Sequence, residues 1–117
     1  MSEIKILTKK ITEFRDARDW KQFHKPKDMA ISITIEAAEL LEHFQWERKN
    51  LPQNIKNNKE KISEEIADVA IYLFELAEIL NIDISQAIKE KLSKNEKKYP
   101  IEKIKGSDLK YSEISTQ

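Results

Sequence analysis

Two acidic pairs have the spacing and the surroundings of a metal site. Glu36-x-x-Glu39 and Glu65-x-x-Asp68 each lie in a helix-forming stretch that contains no Lys or Arg. The window from 28 to 47 holds five acids and that from 62 to 88 holds six, of 21 in the chain. Carboxylates among apolar residues require another positive partner, and a divalent cation with oxygen ligands meets that need. A metal held by carboxylates predicts phosphate chemistry.

The pattern alone leaves several interpretations open. One Glu-x-x-Glu is weak in a chain that is 36% charged, because most such pairs lie on a solvated helix face. A di-iron site needs a Glu-x-x-His in each of two helices, whereas His43 follows Glu39 by four residues. A zinc site is disfavoured, because the chain has two His and no Cys to act as ligands. Four carboxylates would suit two or more Mg²⁺ ions, or metal ligands plus a carboxylate acting as base.

The elements that must position these acids are helices. One Gly and three Pro in 117 residues, with no alternating strand pattern, predict an all-α fold. A polar loop is predicted over 47–58 and an irregular tail over 100–117. We predict four helices, joined by short links into a bundle. They span about Ser2–Gln22, Asp28–Trp46, Lys59–Leu80 and Asp83–Lys98. Asp28 is predicted as the N-cap of the second helix, and Asp83-x-x-Gln86 as the capping box of the fourth.

The second and third predicted helices are similar to each other at an offset of 29 residues. In each, two carboxylates and a following ring fall within one arc beside an apolar stripe. Packing of the two stripes would bring the four carboxylates to one cleft. The stripes are Ile33, Ala37, Leu40 and Phe44 on one helix, and Ile62, Ile66, Val69 and Leu73 on the other.

Composition limits the class of protein. At 117 residues the chain is expected to form one domain, and a formal charge of zero argues against a nucleic-acid polymer as partner. The absence of Cys and of any signal-peptide or membrane-length apolar run predicts a cytoplasmic protein without membrane attachment. Ile71 and Phe74 lie on the far side of the third helix, which predicts a homodimer or a dimer of dimers.

Further side chains are candidates for ligand contact. Trp46 and Tyr72 lie one to two turns beyond the acids, and with Trp20 they are rings suited to stacking on a base. The simpler interpretation makes Trp46 a core residue. Lys91, Asn95 and Lys98 share one face of the fourth helix and could meet phosphate oxygens, or could lie on a solvated face.

Longer motifs resemble a known family. The two acidic pairs, separated by 25 residues, are similar to the signature of the MazG-like all-α nucleoside triphosphate pyrophosphatases. Other segments, in the same order as in the dCTP pyrophosphatase branch, resemble it as well. They are Arg18-Asp-Trp-Lys-Gln-Phe-His24, Phe44-Gln-Trp46, Glu64-Glu-Ile-Ala-Asp-Val-Ala-Ile-Tyr72, Asn95-Glu-Lys-Lys-Tyr-Pro100 and Gly106-Ser-Asp-Leu-Lys-Tyr111.

The resemblance implies hydrolysis of a nucleoside triphosphate to monophosphate and pyrophosphate, with Mg²⁺ or Mn²⁺ as cofactor. It implies metal binding by Glu36, Glu39, Glu65 and Asp68, with Glu36 or Glu39 assisting the attacking water. It implies a base and sugar pocket of Trp20, His24, Trp46 and Tyr72, and pyrophosphate contacts from Lys91, Asn95, Lys98 and Tyr99. It also implies a helical bundle assembled as a dimer or tetramer.

The chain departs from the branch at a few positions. Ile11 stands where dCTP-preferring members carry a His, and Lys97 and Lys98 stand where relatives carry Arg. These departures bear on base selectivity rather than on the reaction. The leading hypothesis is therefore a dCTP or modified-pyrimidine pyrophosphohydrolase for nucleotide-pool sanitation. The alternatives are a non-enzymatic helical interaction module, or the same fold acting on dUTP, dUDP or phosphoribosyl-ATP.

Overall fold

The computed structural model describes residues 2–109 and 111–113, and every regular element in that part of the chain is helical. The all-α prediction is confirmed. The chain divides into two compact units, Met1–Ile82 and Asp83–Gln117. The α-helices are α1 (Glu3–Ala17), α2 (Pro26–Glu42), α3 (Pro52–Asn57), α4 (Lys59–Ile79), α5 (Ile84–Lys98) and α6 (Ile101–Ile104), and 3₁₀ turns span Lys21–Phe23, Glu47–Asn50 and Tyr111–Glu113.

Helix α1 ends five residues before the predicted Gln22, because the chain turns left-handed at Asp19 (φ 54°). The amide of Trp20 donates to the carbonyl of Arg15 at 3.1 Å, and the amide of Asp19 donates to that of Asp16 at 3.0 Å. This pair of bonds is a Schellman motif, and an acidic residue occupies the position that glycine usually takes. A second such motif closes α4 at Asn81 (φ 55°).

Two prolines begin helices that the sequence analysis placed differently. Pro26 is the first residue of α2, so Asp28 lies in the first turn and its prediction as N-cap is wrong. Pro52 likewise begins α3, within the segment predicted as a loop over 47–58. Proline has no amide hydrogen to leave unpaired and its φ is already helical, so it fits the first helical position. Helix α2 also ends at Glu42, short of the predicted Trp46.

The start of α5 agrees with its predicted cap. The Asp83 carboxylate accepts a hydrogen bond from the amide of Gln86 at 3.0 Å. The Gln86 side chain donates to Glu90 at 3.1 Å rather than turning back toward Asp83. Half of the capping box is therefore formed. The packing of α5 as the fourth member of a bundle stays a prediction.

In the first unit, α1, α2 and α3 all pack on α4. The buried apolar residues are few, namely Met29, Ile62 and Ala77. The predicted apolar stripe of α4 is wrong at Ile66 and Leu73, which are 54% and 42% exposed. Polar side chains take part in the interior instead, because they find charged or hydrogen-bonding partners there. Glu75 on α4 and Arg15 on α1 are each 2% exposed.

An apolar groove of about 530 Å³ runs between α1 and α4. Ile11 and Phe14 line it from α1, and Ile71 and Phe74 line it from α4. Leu7, Phe14 and Ile71 remain well exposed on this side of the unit. Among the described residues, no helix combines the length and the apolar character that a membrane span requires.

Candidate metal centre

Helices α2 and α4 bring three of the four predicted ligands together. Glu36 comes from α2, while Glu65 and Asp68 come from adjacent turns of α4. One carboxylate oxygen from each lies within 4.8 Å of the others, and none of the three side chains is fully buried. The prediction that the two acidic arcs face one cleft agrees with this arrangement.

Two oxygens in this cluster have no partner. Glu36 Oε2 and Glu65 Oε2 are buried and make no hydrogen bond within residues 2–109 and 111–113. No ion pair in that part of the chain includes Glu36, Glu39, Glu65 or Asp68. Buried carboxylate oxygens without a partner are strongly unfavourable. The donor set consists of oxygens alone, so the cluster fits a hard divalent cation such as Mg²⁺.

The carboxylates perturb one another's titration. Burial raises the pKa of Glu36 to about 7, and the neighbouring carboxylates of Glu39, Asp68 and Glu65 add to the shift. Burial, with the charges of Glu39 and Asp68, also raises the pKa of Glu65. Glu39 therefore lies close enough to act on both, although it is outside the group of three oxygens. Protons bound to Glu36 and Glu65 would therefore compete with a cation for the cluster.

The rings predicted for a base pocket are partly brought together. The Trp20 and His24 ring centroids are 6.2 Å apart, and Trp20 meets Phe14 edge-on at 5.8 Å. Tyr72 is half-buried, and burial followed by the charges of nearby carboxylates raises its pKa. Trp46 is 57% exposed beyond the end of α2, so the interpretation that places it in the core of the chain is wrong.

The predicted pyrophosphate contacts lie in the second unit. Lys91, Asn95 and Lys98 follow one face of α5, and Tyr99 is its C-cap. Lys98 Nζ lies 5.8 Å from the ring centroid of Tyr111, a cation–π distance that is confined to this unit. Their approach to the carboxylates stays a prediction.

Sequence reasoning missed two charged residues near the predicted pocket, Arg15 and Glu75. Glu75 follows Asp68 by seven positions, so the two side chains lie on nearly the same face of α4. It also lies in the same window without Lys or Arg. That spacing was the available signal, but nothing in the sequence marks Arg15 as its partner.

Residues 31–114 match the MazG-like family. The chain belongs to the MazG-like family. It is 37% identical over 105 residues to dCTP pyrophosphatase 1 of Mus musculus, and 34% identical to that of Homo sapiens. Each alignment covers 87% of this chain but 62% of the relative, so the chain spans less than two thirds of these relatives' length.

A solved structure agrees with the fold of this MazG-like chain. The crystal structure of a pyrophosphatase from Archaeoglobus fulgidus is 42% identical to it, with a TM-score of 0.79. The superposition covers 86% of this chain and 94% of the archaeal one. The MazG-like match contains both acidic pairs, Trp46, Tyr72 and the α5 residues, whereas Trp20 and His24 lie before it.

Proposed function

We propose that this MazG-like chain is a cytoplasmic, Mg²⁺-dependent nucleoside triphosphate pyrophosphatase whose substrate is dCTP or a modified pyrimidine deoxynucleotide. Water would attack the α-phosphorus, and the bond from that phosphorus to the bridging oxygen would break. The products would be dCMP and pyrophosphate. The observation that carries the proposal is the pair of buried oxygens of Glu36 and Glu65 beside Asp68, which have no partner in the part of the chain that the structure describes.

Glu36, Glu65 and Asp68 would hold the metal, with Glu39 completing the acidic set. Bound Mg²⁺ would supply neutralisation of phosphate charge and a lowered pKa for coordinated water. Glu36 or Glu39 would take the proton of the attacking water, the role that the resemblance to the MazG-like family implies for them. With Glu36 and Glu65 raised in pKa, the acids bind protons in competition with metal.

The substrate assignment rests on the relatives' names together with the rings near α4. Trp20, His24 and Tyr72 would receive the base and sugar, with Trp46 as a further stacking surface. Lys91, Asn95, Lys98 and Tyr99 on α5 would contact the departing pyrophosphate. Ile11 lines the apolar groove rather than offering a polar group, so we expect discrimination between pyrimidine bases to be modest.

The experiment that tests the reaction is a panel of dCTP, modified dCTP, dUTP, dTTP, dUDP and phosphoribosyl-ATP with Mg²⁺ or Mn²⁺. Pyrophosphate and phosphate are measured separately. Hydrolysis in H₂¹⁸O should place the label in dCMP, because attack occurs at the α-phosphorus. Label in pyrophosphate would show that water attacks the β-phosphorus instead. Absence of product with every nucleotide would overturn the proposal.

Variants test the residue assignments. Glu39→Gln and Asp68→Asn should abolish turnover while the helical circular dichroism is unchanged. Glu64→Gln is the matched control, because Glu64 is an exposed neighbour of Glu65 outside the cluster. Survival of activity in both site variants would show that the metal assignment is wrong. An interaction module without chemistry should show no rise in melting temperature with Mg²⁺, whereas a preformed site should.

We also propose that the chain forms a homodimer, or a dimer of dimers, through α1 and α4. The apolar groove and the exposed Leu7, Phe14 and Ile71 support this, because a face this apolar is unfavourable in water. Light scattering after size exclusion measures the mass. Ile71→Glu should shift it toward the monomer, and a monomeric parent would contradict the assembly.

A further inference from the structure

A second charged cluster lies farther along α4. Arg15 on α1 and Glu75 on α4 are each 2% exposed, with Arg15 NH1 3.6 Å from Glu75 Oε1. Arg15 also binds Asp16 through Nε at 2.9 Å and Glu78 through NH1 at 3.2 Å. The hydrogen bond to Asp16, followed by the interaction with Glu78, raises the pKa of Arg15. The guanidinium is thus held by carboxylates on two helices.

The hydrogen bond of Glu75 goes to a different residue. Its Oε1 is hydrogen-bonded to His24 Nδ1, while Arg15 NH1 lies at ion-pair distance from the same oxygen. The hydrogen bonds of Arg15 go to Asp16 and Glu78 instead. Oε1 of Glu75 therefore contacts both a buried cation and an imidazole.

His24 lies in the short connection between α1 and α2. It follows the 3₁₀ turn Lys21–Phe23, outside any α-helix, and its side chain is 20% exposed. Its ring is beside Trp20. Glu75 follows the candidate ligand Asp68 by seven positions, so the two carboxylates leave nearly the same face of α4. Because His24 is hydrogen-bonded to Glu75, its ring lies at the helix face that also carries Asp68.

Stability alone does not explain these buried charges. Removal of charge from water is unfavourable, and an apolar pair of similar volume is often as stable as a buried ion pair or more stable. The ion pair does have an effect that apolar residues lack. A carboxylate at Nδ1 selects one tautomer of the imidazole and one orientation of its ring.

We propose that Glu75, which is held by Arg15, is a positioning residue for His24. It keeps the imidazole proton on Nδ1, so that Nε2 accepts a hydrogen bond from the nucleoside part of the substrate. The proposal rests on the proposed nucleotide chemistry. The ligand group is a hydrogen-bond donor, either the sugar 3′-hydroxyl or the exocyclic amine of the base. His24 would touch the substrate, and Glu75 and Arg15 would act through His24.

The first test reads the tautomer without any turnover. The chain has two histidines, so ¹⁵N-labelled protein gives two resolvable imidazoles, and His43 serves as internal reference. In the parent, His24 should carry the Nδ1 proton. In Arg15→Leu/Glu75→Leu, which removes both buried charges together, the Nε2 proton should dominate while His43 is unchanged. An unchanged His24 spectrum in a folded double variant would overturn the proposal.

The second test separates positioning from folding. Arg15→Leu/Glu75→Leu should raise KM for dCTP about tenfold with kcat within about threefold, as for loss of a supporting hydrogen-bond partner. His24→Ala should do the same, and all three changes together should be no worse than His24→Ala alone. A parental KM in the double variant, or additive losses, would overturn the role of Glu75.

Substrate analogues identify the donor. If the sugar hydroxyl binds Nε2, the KM penalty of the double variant should vanish with 2′,3′-dideoxy-CTP. If the exocyclic amine binds, the penalty should vanish with dUTP. A penalty that persists with both analogues would overturn the hydrogen bond. Should the parent hydrolyse no nucleotide, the proposed function fails, while the ¹⁵N spectra still decide whether Glu75 fixes the tautomer.

Discussion

Helix α4 carries two groups of acids with opposite electrostatic arrangements. At Glu65 and Asp68 the carboxylates face Glu36 from α2. Within residues 2–109 and 111–113, no Lys or Arg is in ion-pair contact with them, and two of their oxygens have no partner. At Glu75 and Glu78, further along the same helix, Arg15 supplies a buried positive charge. One group has no positive partner among the described residues, whereas the other contains a buried cation that contacts its carboxylates.

This electrostatic difference indicates that the first group is a binding site, whereas the second holds neighbouring side chains in position. Where carboxylates repel one another and no cation is near, binding of a metal ion relieves the repulsion and is therefore favourable. Acids already paired with Arg and His gain little from a metal, and they restrain the side chains they touch. Buried charge on one helix thus has two uses, and the partner residues decide which applies.

The largest expected effect breaks the metal-binding group. Glu65→Gln should lower kcat/KM by at least about 100-fold, because a metal ligand worth several kcal/mol is lost. The same change should raise the melting temperature of the metal-free protein, since one repelling charge disappears. Steady-state kinetics and thermal denaturation in EDTA measure the two effects. A fall in the metal-free melting temperature would show that the group is already neutralised.

The same substitution in the paired group should have the opposite effect on folding. Glu75→Gln should lower the free energy of unfolding by about 1–3 kcal/mol, because Arg15 and His24 lose a buried partner while Arg15 keeps Asp16 and Glu78. Arg15→Leu/Glu75→Leu should recover most of that loss. Urea denaturation measures both, with Glu64→Gln as control. Equal stability of all variants would remove the distinction between the two groups.

The pH dependence of the metal-free protein sharpens the comparison. The pKa of Glu36 rises from 4.5 to about 7 on folding, so the folded state binds more protons between these values. Its contribution to stability is therefore present below about pH 4.5 and is lost as the pH rises through about 7. We expect a fall of about 1–2 kcal/mol after allowance for solvent screening. Saturating Mg²⁺ should flatten the slope, and Glu36→Gln should remove it. A stability that rises with pH across this window in EDTA would contradict the shift.

The smallest expected effect concerns the C-terminal end of α4, the helix that carries both groups of acids. Asn81→Gly should stabilise the protein by about 0.5 kcal/mol, because glycine adopts the positive φ after α4 without strain. The melting temperature should rise by a few degrees. Both the Mg²⁺ dependence and the His24 tautomer should be unchanged. A change in either would mean that the end of α4 is coupled to the groups along it.

Much of the site was predictable because helical periodicity is local. The spacing of Glu36, Glu39, Glu65 and Asp68 fixes which side chains share a helix face, and three of these acids meet in the structure. Helix ends were less predictable. Asp19 and Asn81 adopt positive φ without glycine, and Pro26 and Pro52 begin helices.

By itself the sequence determined an all-α chain, the two acidic pairs, the windows without Lys or Arg, and the resemblance to the MazG-like family. Only the tertiary structure decided that Ile66 and Leu73 are exposed, and that Arg15 and His24 both contact the buried carboxylate of Glu75. The reason is physical. Periodicity orders residues on one helix, but whether a carboxylate is paired depends on side chains that arrive from other helices.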